Sequence, residues 1–175
     1  MTIESIRVAL APWYLQIKFV HLLAVMVWIW STSVAYMSYL VPVFKAWRRN
    51  PGDRGLIAMR DWVMDRFDEG VIYEHVAFPV ILVTGPLLYI AGGWSTGAAW
   101  LMLKLLVVAG VMVPMELCDY YLSHFGGNKR RIRGSDRPQR HEAMVHAHWW
   151  FLLVTTPAVA VFSLLIVFLA VTKPI

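Results

Sequence analysis

Trp13-Tyr-Leu-Gln-Ile-Lys18-Phe-Val-His21-Leu-Leu-Ala-Val-Met-Val-Trp28-Ile-Trp30 opens a run that stays apolar to Phe44, and its reading decides the fold. A helix rises about 1.5 Å per residue, so roughly 20 apolar residues cross the ~30 Å of hydrocarbon in a bilayer. The run at 13–44 exceeds that length, follows Glu4 and Arg7, and has no convincing small-residue cleavage site after it. It predicts a transmembrane helix and not a signal peptide. Three further runs of the same kind lie at about 70–91, which Pro79 and Pro86 interrupt, at 97–122 and at 143–171.

The whole chain agrees with its first span. Its 175 residues are 59% hydrophobic and 15% charged, with a mean hydropathy of +0.58, which is more apolar surface than a soluble domain of that length buries. That composition excludes a disordered chain. One cysteine, Cys118, excludes an intrachain disulfide framework and any multi-thiolate zinc or iron–sulfur site. The length fits a single membrane domain over 1–175, and no internal repeat or low-complexity segment divides it.

The net charge of +5 would suggest nucleic acid in a soluble protein, but the basic residues are placed as topology signals. Lys45, Arg48, Arg49, Arg54, Arg60 and Arg66 lie between the first two spans, and Lys129, Arg130, Arg131, Arg133, Arg137 and Arg140 between the last two. Both loops therefore read as cytoplasmic, with a secondary role as anionic-lipid contacts. The connection at 91–96 has no basic residue and the N-terminal segment has only Arg7, so these parts and the C-terminus are expected outside. The segment 55–69 sets Leu56, Met59, Val63 and Phe67 among charges and predicts a short interfacial amphipathic helix. The expected fold is all-α: an antiparallel four-transmembrane-helix bundle, both termini outside and two basic cytoplasmic loops, in a bacterial inner membrane. Such a bundle satisfies every backbone polar group within lipid.

Ionisable residues at membrane depth are costly unless they face the bundle interior, find a partner or snorkel, so they are the functional candidates. His21 lies about seven residues into the first span and Lys104 about seven into the third, which places them at one depth near the outer face. Nothing acidic near His21 in sequence explains it, whereas Lys18 can snorkel. Five of the six histidines gather at the inner side, where Glu74, His75, Glu116, Asp119, His124, His141, Glu142, His146 and His148 open or close their spans. Neutral imidazole suits heme iron, and imidazole mixed with carboxylate suits iron, manganese or zinc. Blander readings stand beside these. His124 and His141 flank the basic loop and read as solvated, Asp119 reads as a partner of a loop arginine, and Glu74 as pointing to the interface. His146 and His148 diverge by about 200° on a helix, so at most one faces a given partner. Gly92-Gly93 and Gly126-Gly127 read as turn or helix-end glycines, since no strand precedes them and no phosphate-binding lysine follows.

The first span, from Tyr14 through Lys18 and His21 to Trp28, resembles the W-x-K-x-x-H opening of the HemJ-type protoporphyrinogen oxidases and the related CopD-like membrane proteins. Trp100-Leu-Met-Leu-Lys104-Leu is similar to that family's W-x-x-x-K-L segment, Pro79 sits where its second span carries a proline, and Thr172-Lys173-Pro174-Ile175 resembles its terminal V-K-P-F. The resemblance implies a four-helix membrane protein that binds heme b, with His21 as axial ligand and Lys104 as catalytic partner at the heme. The family's N-E-x-P stretch is replaced by His141-Glu-Ala-Met-Val-His146-Ala-His148, and Glu74, His75, Glu116 and Asp119 are additions.

Three functional classes follow. The first is a heme-b oxidoreductase or electron carrier that serves a quinone or porphyrin-type substrate and a redox partner protein. The second is a non-heme copper, iron or zinc protein. The third is a non-catalytic subunit or assembly factor. Lipid surrounds the chain in each case and a homo-oligomer is compatible with all three; nucleic acid fits none. The nine methionines scatter singly and read as packing rather than copper ligands. Two geometric expectations result. His21 and Lys104 should share a cavity in the outer half, and His75 should lie level with His146 or His148, with Glu116 approaching, so that His75, Glu116, His146 and His148 can hold a metal or His75 and His148 a second heme.

Overall fold

The computed structural model describes residues 2–94, 97–135 and 137–174, the Thr32 side chain excepted. Residues 95 and 96 of the connection expected outside, and the last residue of the terminal motif, lie beyond these limits. Helices fill nearly all of the described residues and no strand occurs among them. Helix α1, Ile3–Leu10, starts at Thr2, whose side chain accepts from the Ser5 N–H. A tight turn, Ala11–Trp13, carries Pro12 and leads into α2, Tyr14–Ala35. A wide turn, Tyr36–Leu40, joins α2 to α3, Val41–Arg49. The Asp53 side chain then caps α4, Arg54–Gly70, and α5 follows at Ile72–Gly92. Helix α6, Ala99–Val107, passes through a second wide turn, Val108–Met112, into α7, Val113–His124. A short α8, Lys129–Arg133, precedes the long α9, Pro138–Thr172.

Among the described residues these elements compose four helical runs long and apolar enough to cross a membrane: Ile3–Arg49, Arg54–Gly92, Ala99–Arg133 and Pro138–Thr172. Large apolar side chains such as Leu15, Trp30, Leu164 and Val171 are more than two-thirds exposed, which fits an integral membrane protein and would be a liability in water. The first run begins ten residues before the apolar stretch read from the sequence, because Pro12 stands at the start of a turn where its missing N–H costs no hydrogen bond.

Both wide turns end just before a proline, Pro42 and Pro114. A proline ring collides with the carbonyl four residues back and donates nothing to it, and widening the turn by one residue relieves both faults. Helix α2 packs along α5, α6 and α7 against α9, and α3 against α4. One apolar cluster, around Phe44, Trp47, Met64, Phe67, Val145 and Trp149, sits at the end that carries the basic connections. A second, around Ala24, Trp28, Ala77, Phe78, Val107 and Met112, fills the middle of the protein. The amphipathic segment forms α4, but Val63 and Phe67 are buried in the first cluster and only Met59 of its apolar stripe stays exposed. Tertiary packing has claimed a face that the sequence assigned to the lipid interface.

Gly93 closes α5 in the left-handed region at φ 63°, where glycine is favoured. Gly127 answers a different need. A Cβ there would meet the Leu122 Cα at 2.7 Å and its carbonyl oxygen at 2.9 Å, and backbone cannot move aside as a side chain can. Gly127→Ala should therefore reopen the α7–α8 turn, and we expect a fall in melting temperature in detergent that Gly52→Ala, with open space around it, does not produce.

Candidate functional site

Two cavities of about 400 Å³ each lie along the protein axis and share Trp28 and Ile29 as a common wall. The near cavity, toward the basic connections, is bordered by Glu74, Glu116, Asp119, Tyr36, Thr155 and Thr156. The far cavity is bordered by His21, Lys104 and otherwise almost wholly by apolar side chains. The Trp28 indole N–H donates to Glu116, so the shared wall is fixed from the near side.

Helices α2 and α6 deliver His21 and Lys104 to the far cavity. Thr84 on α5 gives its single hydroxyl proton to the Val80 carbonyl at 2.6 Å. Its oxygen, 2.8 Å from His21 Nδ1, must then accept, and this partner assigns the proton of His21 to Nδ1. The lone pair is left on Nε2, for which no hydrogen-bond partner occurs among the described residues. Gly85 lies beside the ring: a Cβ there would sit 3.8 Å from Cε1, in ordinary van der Waals contact. Lys104 likewise has no hydrogen bond or ion pair among the described residues, and it borders the same cavity as His21.

At the near end, buried polar side chains from five helices form a continuous chain of contacts. Asp119 on α7 stands at its centre: Oδ1 is 2.8 Å from His148 Nε2 on α9, and Oδ2 is 3.2 Å from His75 Nε2 on α5. His75 Nδ1 is 2.8 Å from His124 Nε2. On the other side His148 Nδ1 takes a hydrogen bond from the Lys129 ammonium on α8. That ammonium also donates to the Leu122 carbonyl at 3.0 Å and sits 2.8 Å from Asp68 Oδ1 on α4. Lys129 and His148 are fully buried. Because Nδ1 of His148 accepts, its own proton is on Nε2 and points at Asp119. Glu116 hydrogen-bonds Glu74 as well as Trp28.

The structure thus gathers His75 and His148 on one carboxylate, as a shared level requires, but the bridging group is Asp119, while Glu116 stays at the cavity wall. His146 takes no part; its ring meets the edge of Trp47 at 5.1 Å. Both ring nitrogens of His148 and Nδ1 of His75 already have hydrogen-bond partners, so a metal ion at those atoms would have to displace them, while His75 Nε2 meets Asp119 Oδ2 only as an ion-pair contact at 3.2 Å. Asp61, His141 and Glu142 bring ligand-type atoms within 4.8 Å of one another. A cation already serves them: the buried Arg60 guanidinium lies 2.7 Å from Asp61 and 2.6 Å from Glu142, over the Trp47 ring.

Several of these participants were hidden in the sequence. His124, read as solvated, pairs with His75; Asp119, read as a partner of a loop arginine, holds two imidazoles; Lys129 was counted only as topological charge. Asp68 could have been found from its seven-residue spacing to His75, which puts both on one face across α4 and α5. Thr84, a hydroxyl at membrane depth, was the readable sign of a partner for His21. Comparison with protein-family models, with curated proteins and with solved structures finds no match to this chain.

Proposed function

We propose that the chain is a heme-b-binding membrane oxidoreductase or electron-transfer protein, an antiparallel four-helix bundle whose basic connections lie in the cytoplasm of a bacterial cell. The single observation that carries the reading is His21: its Nδ1 proton is committed to Thr84, and its Nε2 lone pair is unpartnered at the border of a largely apolar cavity. An imidazole that ligates a metal is usually fixed in this manner by a donor–acceptor contact at its other nitrogen. A cavity of about 400 Å³ falls within the range of cofactor sites, and Lys104 supplies the one unpaired cation on its wall among the described residues. These residues fit a flat apolar group with anionic arms: His21 would hold the iron and Lys104 a propionate. Bound heme b supplies one-electron chemistry. The chain itself orients the ligand through Thr84, balances charge through Lys104 and keeps water out with Phe78, Leu101, Val108 and Met112. The electron donor in this reading is a quinol or a porphyrin-type substrate, and a redox partner protein receives the electrons.

Absorption spectra of the detergent-purified protein, oxidised and dithionite-reduced, together with metal analysis, test the proposal. A stoichiometric b-type Soret and α band supports it; a stoichiometric non-heme metal, or neither signal, overturns it. Lys104→Ala is expected to keep the band positions while weakening heme retention by about tenfold or more, as loss of a charge-assisted hydrogen bond worth ~1.5–3 kcal/mol requires. Titration of the heme-free protein with hemin measures that change.

A further inference from the structure

The buried chain at the near end runs from the near cavity to a second opening. A surface recess of about 350 Å³ is bordered by Asp68, Glu69, His124 and Arg130, while Asp119 borders the near cavity. His124 and Asp68 are the two ends of the buried chain, so two branches lead from Asp119 to the same recess. One passes through His75 and His124, the other through His148, Lys129 and Asp68.

The branches differ in what they can carry. An imidazole moves a proton by accepting at one nitrogen and releasing from the other. His75 is placed for this, with Nδ1 at His124 and Nε2 at Asp119. His148 is not. A proton passed onward from it would have to leave through Nδ1 toward an ammonium that already holds three protons and has no lone pair to accept a fourth.

We propose that Asp119, His75 and His124 form a proton conduit between the near cavity and the surface recess, and that the His148–Lys129–Asp68 branch is a fixed clamp that holds Asp119 in line. A proton from the recess binds His124 Nδ1, and the Nε2 proton of His124 passes to His75 Nδ1. The Nε2 proton of His75 then passes to Asp119 Oδ2. One proton crosses, each imidazole ends with the charge it began with, no electron moves, and the rings return to their starting tautomers before the next passage. The reverse sequence releases a proton from the cavity. Charged and titratable groups surround the pair on every side: Asp68 on α4, Glu74 on α5, Glu116 and Asp119 on α7, Lys129 on α8 and His148 on α9. The Tyr120 ring stands edge-on to both imidazoles, 4.9 Å from His75 and 5.3 Å from His124, and walls the pair laterally.

The conduit needs no heme, and its test is independent of that reading. The full chain, labelled with ¹⁵N-histidine and placed in lipid bilayers, is examined by solid-state NMR for exchange between imidazole N–H protons and water, with signals assigned by single-histidine substitutions. His75, whose side chain is 1% exposed, should exchange readily with water, whereas the equally buried His148 should not. His124→Phe should abolish the His75 exchange peak. Absence of that peak in the unsubstituted protein, equal exchange at His148, or a His75 peak that survives His124→Phe overturns the proposal. The contrast between His75 and His148 is read in the unsubstituted protein, with its signals assigned from the His75 and His148 substitutions, so a misfolded His124→Phe protein leaves the test intact.

Discussion

His21→Ala is expected to abolish the b-type spectrum of the purified protein altogether. Among the described residues the imidazole is the only histidine on the far cavity, and its tautomer is already the one that presents a lone pair from Nε2. Alanine removes that lone pair and leaves the Thr84 hydroxyl oxygen without a donor. A purely structural role would produce the same loss through misfolding, so the informative companion is His21→Gly supplied with free imidazole. Recovery of the Soret and α bands on adding millimolar imidazole identifies His21 as a ligand; a normal spectrum in His21→Ala excludes it. Thr84→Val removes only the orienting acceptor and should weaken heme binding by about 10–100-fold, the range for partners that orient a ligating imidazole.

The largest stability loss is expected at Lys129→Met. The methionine fills similar volume, yet it strips the charge from a fully buried ammonium and leaves the Asp68 carboxylate and His148 Nδ1 buried without it. Removing one partner of a buried ion pair costs about 3–5 kcal/mol. The neighbouring Arg130 pairs with Glu69 at 2.9 Å but is 75% exposed, so Arg130→Met should cost no more than ~1 kcal/mol. Thermal unfolding in one detergent compares the two. The double variant Asp68→Leu with Lys129→Met should recover part of the loss, because it removes the stranded carboxylate too. Equal melting temperatures for Lys129→Met and Arg130→Met would contradict the clamp.

Apolar run length made the four long helices legible, and this signal depends on composition alone. The meeting of His21 and Lys104 at one cavity followed from counting residues into two spans. Other features depended on tertiary contacts that no local pattern encodes. Lys129 looks like one more basic loop residue, but the Gly126-Gly127 turn sends it back into the protein toward His148. His124 at the end of α7 reads as wet until α5 places His75 beside it. The apolar stripe of α4 fits a lipid interface or a protein core equally well, and the large side chains Phe44 and Trp149 decided for the core. Asp119 and Glu116 are three residues apart on one helix face, and only packing decides which of them reaches the imidazoles.

The wide turn at Val108–Met112 carries one residue more than an α-helical turn needs, and one residue on a helix is worth about 100° of rotation. Lys104 precedes it; Glu116 and Asp119 follow it. That extra residue is absorbed by the widened turn itself, so the helix on either side keeps nearly the phase of one unbroken helix, with Lys104 on the far cavity and Asp119 toward His75 and His148. The turn is therefore a register buffer. Deleting one residue from it should tighten it to an ordinary α-helical turn with both sites nearly in place, whereas deleting two would exceed what it holds and rotate Asp119 by about 100° away from both imidazoles.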